Sequence, residues 1–499
     1  MKNYVYPLFA LHIKELDVPY FILYLCSSKQ IINKPNCRIL LSQTTENNSA
    51  KLPNDKQKIL SLQKLIRIYV NQEKMLNKYK RRIADRLLKR KLAGKGAVLL
   101  EGAKWCGKTT TAEQIAQSVL YMSESGKTEQ NIQLATMNPR LLLRGDKPRL
   151  IDEWQVAPQL WDSIRFEADH SSGLGLFILT GSCVPADLSS IIHSGTGRFG
   201  WLRMRPMSLW ESGDSTGEVS LKDIFDGKEQ IEGLSGLDLE RVAFVSCRGG
   251  WPLAVDMDDE IALDQAFDYL NAVEQRDIQQ ADGVDRDPLR VHRLLRSYAR
   301  HQGAQANYST IRADLVANEG DSLDEDTIAS YIKALKSIFV VEDVEAWNPN
   351  LRSKTAIRTS DTRYFTDPSI AAAALGLGPA DLISDLNTFG LIFETLCMRD
   401  LHVFAEALNG NVYHYRDKNG LECDAVIHLR DGRYGLIEIK LGGDKLISEG
   451  VQTLTSLAEK IDTSKMKKPS FLMVLTANGP YAYRREDGVF VVPIGCLRD

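Results

Sequence analysis

Residues 102–109 have the types and the spacing of a phosphate-binding loop. Their sequence, Gly-Ala-Lys-Trp-Cys-Gly-Lys-Thr, fits the pattern G-x-x-x-x-G-K-[ST]. In such a loop the backbone N–H groups surround the phosphates of a nucleotide. The lysine reaches the β- and γ-phosphates and the hydroxyl lies on Mg²⁺. We therefore expect Lys108 to contact the phosphates and Thr109 to contact the metal ion.

An acidic pair downstream supplies the second half of this chemistry. Residues 149–154, Arg-Leu-Ile-Asp-Glu-Trp, have the pattern of a short apolar strand that ends in Asp-Glu. Asp152 is expected to hold Mg²⁺ through water, and Glu153 to polarise the attacking water. Such a pair is weak evidence for an ATPase on its own, and strong evidence when it follows a phosphate-binding loop. The residues expected to bind ATP and Mg²⁺ are Gly102, Ala103, Lys104, Trp105, Cys106, Gly107, Lys108, Thr109, Thr110 and Asp152.

Two further features are candidates for contacts with the γ-phosphate. Thr180 and Ser182 end the next apolar strand, where a nucleotide-state sensor lies in AAA-type ATPases, although a plain strand-terminating turn explains them nearly as well. Arg198 is a candidate arginine finger and joins Lys108 and Glu153 as a predicted catalytic residue, because a guanidinium matches phosphate charge. The alternative is a surface ion pair. Fingers often act across subunits, but nothing in the sequence demonstrates an oligomer.

A second constellation lies near the C-terminus. Glu394 in a predicted helix is followed by Asp424 in a strand and then by Glu438-x-Lys440 in the next strand. This is the order of the PD-(D/E)xK nuclease site, in which two carboxylates, here Asp424 and Glu438, hold Mg²⁺ and the lysine positions or deprotonates the attacking water. The alternative is a cross-strand salt bridge on an exposed hairpin. The order favours a nuclease-like fold; cleavage is a separate question, since folds keep binding after losing chemistry.

The elements that must position these residues are predicted from hydrophobic spacing. Residues 96–101 indicate a buried parallel strand before the loop, and residues 109–122 a helix after it, with Ile115, Val119 and Met122 on one face. Residues 389–401 indicate the helix that carries Glu394. The predicted C-terminal strands and turns are a strand at 412–415, a turn at 419–420, a strand at 424–427, a turn at 431–432 and a strand at 434–441.

The middle of the chain is predicted to be mainly helical. Residues 211–235 are rich in Gly, Ser and Asp and indicate an exposed loop. Residues 237–300 have a helical pattern that stops and restarts at 248–252, as expected of a helical lid. Ser322-Leu323-Asp324-Glu325 fits a capping box opening a helix. The β-rich run at 338–341 follows, and helix then hairpin is compatible with a winged helix.

Composition limits the classes of protein. The chain has 499 residues, 43% of them hydrophobic and 25% charged, with a net charge of −3. It is too long for one core and too apolar for wholesale disorder, and its charge gives no global argument for nucleic acid. Any contact with DNA would have to come from a local patch of positive charge. The basic run 78–95 is one candidate, although a solvated helix face is the stronger interpretation.

Cysteines and apolar runs bear on location. Eight cysteines without a C-x-x-C pair indicate neither a zinc site nor a disulfide framework, and favour the cytoplasm. The apolar runs 4–11 and 18–26 are far shorter than the about 20 residues of a membrane span, so no membrane association is expected. Residues 1–70 or so suggest a weakly structured extension, or a translation start assigned too far upstream.

The motifs together resemble a prokaryotic family with an AAA-type ATPase core and a C-terminal domain of unknown function with a restriction-endonuclease-like fold. The resemblance covers roughly residues 78 to 490 and rests on residues 99–111, 148–155, 179–182, 249–252 and 389–440. It implies ATP binding and hydrolysis, with Lys108, Thr109, Asp152 and Glu153 matching the nucleotide motifs, and no agreed biological role. Cys423 stands before Asp424 where a strict nuclease has proline.

The predicted fold is therefore α/β: a P-loop AAA-type ATPase with a helical lid and a winged-helix-like region, then an α/β restriction-endonuclease-like domain. The predicted regions are an N-terminal extension at 1–75, an ATPase core at 76–235, a lid at 236–300, a winged-helix-like region at 301–380 and the C-terminal domain at 381–499. The leading hypothesis is an ATP-driven switch whose C-terminal domain binds nucleic acid, with cleavage left open and DNA the candidate partner. The alternatives are a non-hydrolysing, nucleotide-gated regulator and a Mg²⁺-dependent nuclease with a structural nucleotide.

Overall fold

The computed structural model describes residues 79–171, 173–184, 191–348 and 360–499. The predicted extension at 1–75 lies outside these residues. Lys80 to Asp499 form one compact unit. Two sheets organise it, one near each end of this unit's sequence, with helices between and around them.

The first sheet has five parallel strands in the order β2-β3-β4-β1-β5. Because β4 lies between β1 and β3, the segments that follow these three strands meet at one edge of the sheet. The strands are β1 Ala97–Glu101, β2 Ser118–Tyr121, β3 Arg149–Asp152, β4 Phe177–Gly181 and β5 Phe199–Arg203.

Helices surround this sheet. Among the described residues they are α1 Ile83–Leu92, α2 Lys108–Glu113, α3 Thr128–Met137, α4 Pro139–Leu142 and α5 Leu160–His170. α1 buries one apolar face, including Leu87 and Leu88, and directs Lys89 and Arg90 to solvent. The apolar spacing in the basic run thus forms a helix face against the core, as the sequence indicated.

The helix after the loop is much shorter than predicted. It spans Lys108–Glu113, and residues 118–121 form strand β2 rather than helix. The spacing of Ile115 and Val119 fits a helix, but residues 118–121 pair in parallel with β3. A ladder to a neighbouring strand outweighs a local helical pattern, because propensity is a weak preference that tertiary context overrides.

The prediction of an exposed loop at residues 211–235 is also wrong. This segment contains the end of α6 (Leu209–Ser212), β6 (Val219–Ser220), α7 (Leu221–Phe225) and β7 (Gly233–Leu234). Leu221, Ile224 and Phe225 are buried in the core. Both short strands pair with strands from the C-terminal end of the chain. A composition rich in Gly, Ser and Asp does not reveal these distant partners.

The following region is helical, as predicted. Its described helices are α8 Leu239–Arg248, α9 Asp259–Ala272, α10 Ile278–Asp282, α11 Pro288–Arg300, α12 Tyr308–Asp314 and α13 Glu325–Ser337, with π-helical turns at Val273–Asp277 and Leu315–Glu319. α8 stops at Gly249, whose φ of 75° suits glycine. The cap of α13 differs from the prediction: Asp324, not Ser322, accepts a hydrogen bond from Thr327 N at 2.7 Å.

The run at 338–341 forms less sheet than predicted. The described residues contain single antiparallel bridges there, Val341 with Phe365 and Val344 with Thr362. Phe339 has a φ of 60°, which interrupts an extended strand at the start of the run. The segment supports a hairpin-like pairing without a regular ladder.

The second sheet has seven strands in the order β7-β12-β13-β11-β10-β9-β8. Helices α14 Pro368–Leu375, α15 Pro379–Ser384 and α16 Leu386–Ala407 precede it. Its remaining elements are β8 Gly410–Arg416, β9 Glu422–Leu429, β10 Tyr434–Lys440, α17 Asp444–Lys460, β11 Phe471–Thr476, β12 Tyr481–Arg484 and β13 Phe490–Pro493, with β14 Leu497–Arg498 paired to β6. α17 connects the parallel strands β10 and β11, and the predicted strands and turns of this region are present.

One hydrophobic core connects the two sheets. The same cluster of buried side chains includes Leu88 of α1, Val98 of β1, Phe404 of α16 and Ile427 of β9. No helix within the described ranges is long and apolar enough to cross a membrane.

Candidate functional site

The glycines of the loop occupy positions that only glycine fits. Gly102 has a φ of 154°, and a Cβ there would lie 2.0 Å from Met204 O. Gly107 has a φ of 98° and forms the N-cap of α2. Backbone in this region favours glycine. The loop therefore turns tightly between β1 and α2, as the motif predicted.

Lys108 extends back over the loop. Its residue is 5% exposed, and Nζ donates hydrogen bonds to Gly102 O at 2.9 Å and Ala103 O at 2.8 Å. Within the described residues no carboxylate lies within ion-pair distance of Nζ. A buried ammonium held only by carbonyl oxygens is an uncompensated charge, which an anion would stabilise.

Asp152 at the end of β3 joins the two predicted motifs. One carboxylate oxygen, Oδ1, accepts hydrogen bonds from Thr109 Oγ1 at 2.7 Å and from Thr180 Oγ1 at 2.6 Å. The expected metal residues Thr109 and Asp152 are thus in direct contact. Thr180, from the strand between them, is adjacent because β4 separates β1 from β3.

Glu153 turns out of the strand direction with a φ of 56°. Ser182 Oγ donates to Glu153 Oε2 at 2.9 Å, and Gln155 Nε2 donates to the same oxygen. Left-handed backbone at a residue other than glycine is uncommon and is frequent at functional sites. The sequence predicted Glu153 and Ser182 but not Gln155, which no pattern distinguished from an ordinary polar residue.

Arg198 is far from this edge of the sheet. Its carbonyl oxygen accepts hydrogen bonds from Gly96 N at 3.1 Å and Ala97 N at 3.2 Å, so it lies where β1 begins. The loop follows the end of β1, and a strand of 5 residues separates the two ends by about 16 Å. The exposed guanidinium pairs with Asp169. The prediction of a γ-phosphate contact within the same chain is wrong, and the surface ion pair is correct.

Other loop residues are held by neighbouring elements. Arg82, just before α1, is buried; Nη1 donates to Cys106 O at 2.7 Å, and Nε lies 3.1 Å from Glu211 Oε1. Lys104 Nζ lies 2.6 Å from Asp277 Oδ1. Trp105 is 54% exposed. The sequence placed Arg82 only in a basic run and gave no sign that it supports the loop.

The remaining residues predicted to bind the nucleotide are Ala103, Cys106 and Thr110. Ala103 and Cys106 are fully buried, and Cys106 Sγ lies 3.4 Å from Met204 O. Thr110 is exposed on α2. Ala103 and Cys106 therefore shape the loop through packing, and Thr110 lies beside it.

The C-terminal constellation also comes together. β9 and β10 pair with Ile437 opposite Ala425, which places Glu438 beside Asp424. Lys440 Nζ lies 2.7 Å from Glu438 Oε2 and 3.2 Å from Asp424 Oδ2. Asp424 Oδ2 also accepts from Ile439 N at 2.7 Å. The lysine therefore bridges both carboxylates.

Glu394 on α16 completes the cluster and is held from another part of the chain. Tyr364, which the sequence did not predict, donates its hydroxyl hydrogen bond to Glu394 Oε1. Burial and then the Asp424 charge raise the pKa of Glu394 to about 8. The same two causes raise the pKa of Glu438 to about 8, against the opposing charge of Lys440. The cluster thus retains protons that exposed carboxyls lose.

Metal binding by this cluster stays a prediction. Glu438 Oε1 is a buried oxygen that has no hydrogen-bond partner among the residues that the structure describes. The described part of the chain contains no group of three or more His, Cys, Asp and Glu side chains arranged to hold a metal ion. Asp424 and Glu438 are accordingly the two carboxylates that remain as candidate ligands.

Comparison with known families identifies three stretches of the chain. Residues 94–212 match the model of an AAA domain. Residues 239–381 match a domain of unknown function (DUF8612), and residues 389–497 match another (DUF4143). The chain therefore contains an AAA-type ATPase domain, and it is this domain that holds the loop, Asp152 and Glu153.

Solved structures resemble the chain only distantly. A Walker-type ATPase of Pyrococcus abyssi is 16% identical over 58% of this chain and 94% of its own, with a TM-score of 0.34. The Aeropyrum pernix ORC2 protein is 14% identical over 52% and 85%, with a TM-score of 0.24. The ORC1 protein of the same organism, solved in complex with DNA, is 11% identical over 58% and 88%, with a TM-score of 0.23. No curated protein matches the sequence. These likenesses carry no argument about substrate or partner.

Proposed function

We propose that this chain binds ATP with Mg²⁺ at residues 102–109 and hydrolyses it. The observation that carries the proposal is the Lys108 ammonium, which is buried and, within the described part of the chain, hydrogen-bonded only to Gly102 O and Ala103 O. The triphosphate supplies the anion that this cation lacks. The tight glycine turns let the backbone approach the phosphates closely.

Thr109 and Asp152 fit a magnesium site. Their hydroxyl and carboxylate oxygens, 2.7 Å apart, are of the class that Mg²⁺ prefers. When bound, the ion neutralises charge on the phosphates. Thr109 would hold it directly and Asp152 through water. Thr180, which shares Oδ1 of Asp152, would keep that carboxylate oriented.

Glu153 is the proposed base. Its carboxylate is held by Ser182 and Gln155, which fixes its direction without neutralising its charge. It accepts a hydrogen bond from the attacking water and draws its proton away. Lys108 remains on the phosphates as their charge shifts, which is the role of a preorganised cation in phosphoryl transfer.

The decisive experiment is phosphate release from ATP by the purified chain, with and without DNA, beside Glu153→Gln. The variant is expected to keep ATP binding and to lose at least about 100-fold in turnover. Glu124→Gln, which changes an exposed carboxylate paired with Lys127, is the matched control. Equal turnover in Glu153→Gln would remove the role of Glu153. Binding without turnover in the wild type would favour the nucleotide-gated regulator.

We further propose that the C-terminal region has a restriction-endonuclease-like fold and binds nucleic acid, with DNA the candidate partner. The support is the convergence of Glu394, Asp424, Glu438 and Lys440 on one helix and two paired strands. The unpartnered Glu438 Oε1 fits a cation held between Asp424 and Glu438. α13 and the bridges after it support a winged-helix-like arrangement in residues 301–380.

Binding is favoured over cleavage, because Lys440 is paired with both carboxylates. Nicking of DNA that requires Mg²⁺ and disappears in Lys440→Ala would instead establish a nuclease. Lys445→Ala, which removes an exposed lysine of α17, is the control. Nicking without ATP turnover would support the third class, a nuclease with a structural nucleotide.

A further inference from the structure

A cleft of about 670 Å³ lies where α1, α7, the end of α16 and the β9–β10 turn meet. Its volume falls in the range of about 300–1,000 Å³ that ligand sites have. The basic side chains that line it are Arg86, Arg90, Lys222, Arg430 and Arg433. We refer to it as the basic cleft. It is separate from both the loop and the cluster around Lys440, since it shares no lining residue with them.

Three of the basic residues are neutralised by carboxylates of the cleft itself. Arg86 pairs with Asp499. Arg433 pairs with Asp226 at 2.9 Å, and Lys222 Nζ lies 2.6 Å from Asp226 Oδ2. The third carboxylate of the cleft, that of residue 431, lies 2.8 Å from the guanidinium of Arg433. All acidic side chains of the lining are therefore already engaged.

Arg90 and Arg430 remain without a carboxylate partner within the described residues, and both are exposed. Asn409 holds the two together: its Oδ1 accepts from Arg90 Nη2 at 2.8 Å, and its carbonyl oxygen accepts from Arg430 N at 3.0 Å. Asn409 itself has a φ of 60°, in the left-handed region that asparagine tolerates at helix ends. The arrangement holds the Arg90 guanidinium and the backbone of Arg430 on one side of the cleft.

The side chains that line the cleft carry a positive balance of charge, and several of the others are apolar. Burial and then the charges of Arg430 and Arg90 lower the pKa of Lys91, against the opposing charge of Glu406. The larger apolar residues that line the basic cleft are Leu87, Phe225, Leu408 and Leu429. A groove lined by cationic side chains is the electrostatic feature by which proteins follow the phosphate backbone of a single strand.

We propose that the basic cleft binds the phosphates of a nucleic-acid strand, with Arg90 and Arg430 as phosphate contacts. Each guanidinium presents parallel N–H donors that match two phosphate oxygens. The inference rests on the nucleic-acid partner proposed above and names where its backbone lies. A free mononucleotide carries the same phosphate chemistry and is the other source that the test distinguishes. The structural alternative is that both arginines only compensate the partial charges at the ends of α1 and α16.

The test is the anisotropy of a labelled single strand of about 20 nucleotides, longer than the 4–16 nucleotides of typical single-strand sites. The full chain and the variant Arg90→Ala/Arg430→Ala are titrated across a range of salt. Two lost phosphate contacts at about 0.7 each reduce the slope of log K against log salt by about 1.4, alike for all sequences. The control Lys89→Ala/Lys445→Ala removes two exposed charges outside the cleft and is expected to bind as the wild type does.

The outcomes separate the proposal about the basic cleft from the proposal that the chain binds nucleic acid. An unchanged slope in the arginine variant, with a wild type that binds, overturns the basic cleft and leaves the nucleic-acid partner in place. A wild type that does not bind the strand overturns both. AMP that competes at the same concentration as the strand, and only when both arginines are present, assigns the site to free nucleotides. A normal melting temperature and normal ATP affinity in the variant show that the loss is local.

Discussion

The Lys108 ammonium illustrates how a single residue can be costly to the fold and useful to the site. It is buried and has no carboxylate within ion-pair distance among the described residues, so we expect its charge to cost stability until an anion reaches it. Lys108→Ala is expected to weaken ATP binding by about 1.5–3 kcal/mol, or roughly 10- to 100-fold in Kd. Isothermal titration calorimetry measures this. Lys127→Ala, an exposed lysine paired with Glu124, is the control.

The same variant makes a second result informative. Without nucleotide, Lys108→Ala is expected to unfold at the same temperature as the wild type or higher, because it removes an uncompensated buried charge. A large loss of stability together with unchanged ATP affinity would show that the lysine serves the fold and not the phosphates.

Glu394 gives a prediction about pH. Its pKa is raised from the ordinary 4.5 to about 8, so between these values the folded state keeps a proton that the unfolded state releases. Stability from this group is therefore complete below pH 4.5 and declines as pH rises towards 8. Glu394→Gln, which cannot ionise, is expected to gain stability relative to the wild type at pH 8 compared with pH 5, by about 3 kcal/mol at roughly 1.4 kcal/mol per pKa unit.

Urea denaturation at both pH values measures this difference. Glu449→Gln on the exposed face of α17 is the matched control, and its effect should not change with pH. An equal effect of Glu394→Gln at both pH values would mean that the Glu394 carboxyl ionises as an exposed one does.

At the scale of elements, strands with strong local signals were predictable and distant partners were not. β1, β3 and β4 are short apolar runs followed by chemistry-bearing residues, and the sequence identified all three. β2 was predicted as helix because its ladder to β3 is invisible locally. Residues 211–235 were predicted as an exposed loop because their partners lie more than 200 residues away in sequence.

The candidate sites follow the same rule. Lys108, Thr109 and Asp152 belong to motifs with fixed spacing and could be predicted. Gln155 and Tyr364 act through contacts that only the folded chain creates, between positions that no motif connects. The misplaced Arg198 was predicted from charge alone, which does not indicate the end of a strand at which a residue lies.

The approach to α1 yields a prediction at this scale. Arg82 connects the loop carbonyl of Cys106 to the buried carboxylate of Glu211. Arg82→Ala leaves that carboxylate without its cation and is expected to cost about 3–5 kcal/mol of stability. Its neighbour Arg81 is exposed, so Arg81→Ala is a matched control. In denaturant unfolding, adding Glu211→Gln should recover part of the loss; no recovery would exclude the ion pair as the cause.

At the scale of the molecule, one core and one long helix join the two sheets. α16 carries Glu394 near its first third, while Asp400 further along accepts a hydrogen bond from Leu209 N at 2.9 Å. Arg399 connects Asp400 to Asp367, and Asp367 accepts from Gly250 N at 3.0 Å. The stop after α8 is thus fastened to the helix that bears the C-terminal cluster.

This continuity predicts how the folded unit melts. All seven tryptophans lie after Lys80, so their fluorescence reports on that unit alone. We expect one cooperative transition that ATP at about 100 times Kd stabilises by about 2.7 kcal/mol as a whole. Two transitions, of which ATP moves only one, would show that the sheets unfold independently.

The strands β6 and β7 limit how this chain can be divided into fragments or chimeras. They come from residues 219–234, yet β7 forms an edge of the C-terminal sheet against β12. In an excised fragment of residues 381–499, the N–H and C=O groups of β12 that pair with β7 would be unpaired. They could then pair with a strand of another copy and promote aggregation. A fragment or chimera that contains the C-terminal sheet must therefore also contain β7. A fusion point placed between the two sheets would separate β7 from the sheet whose edge it forms.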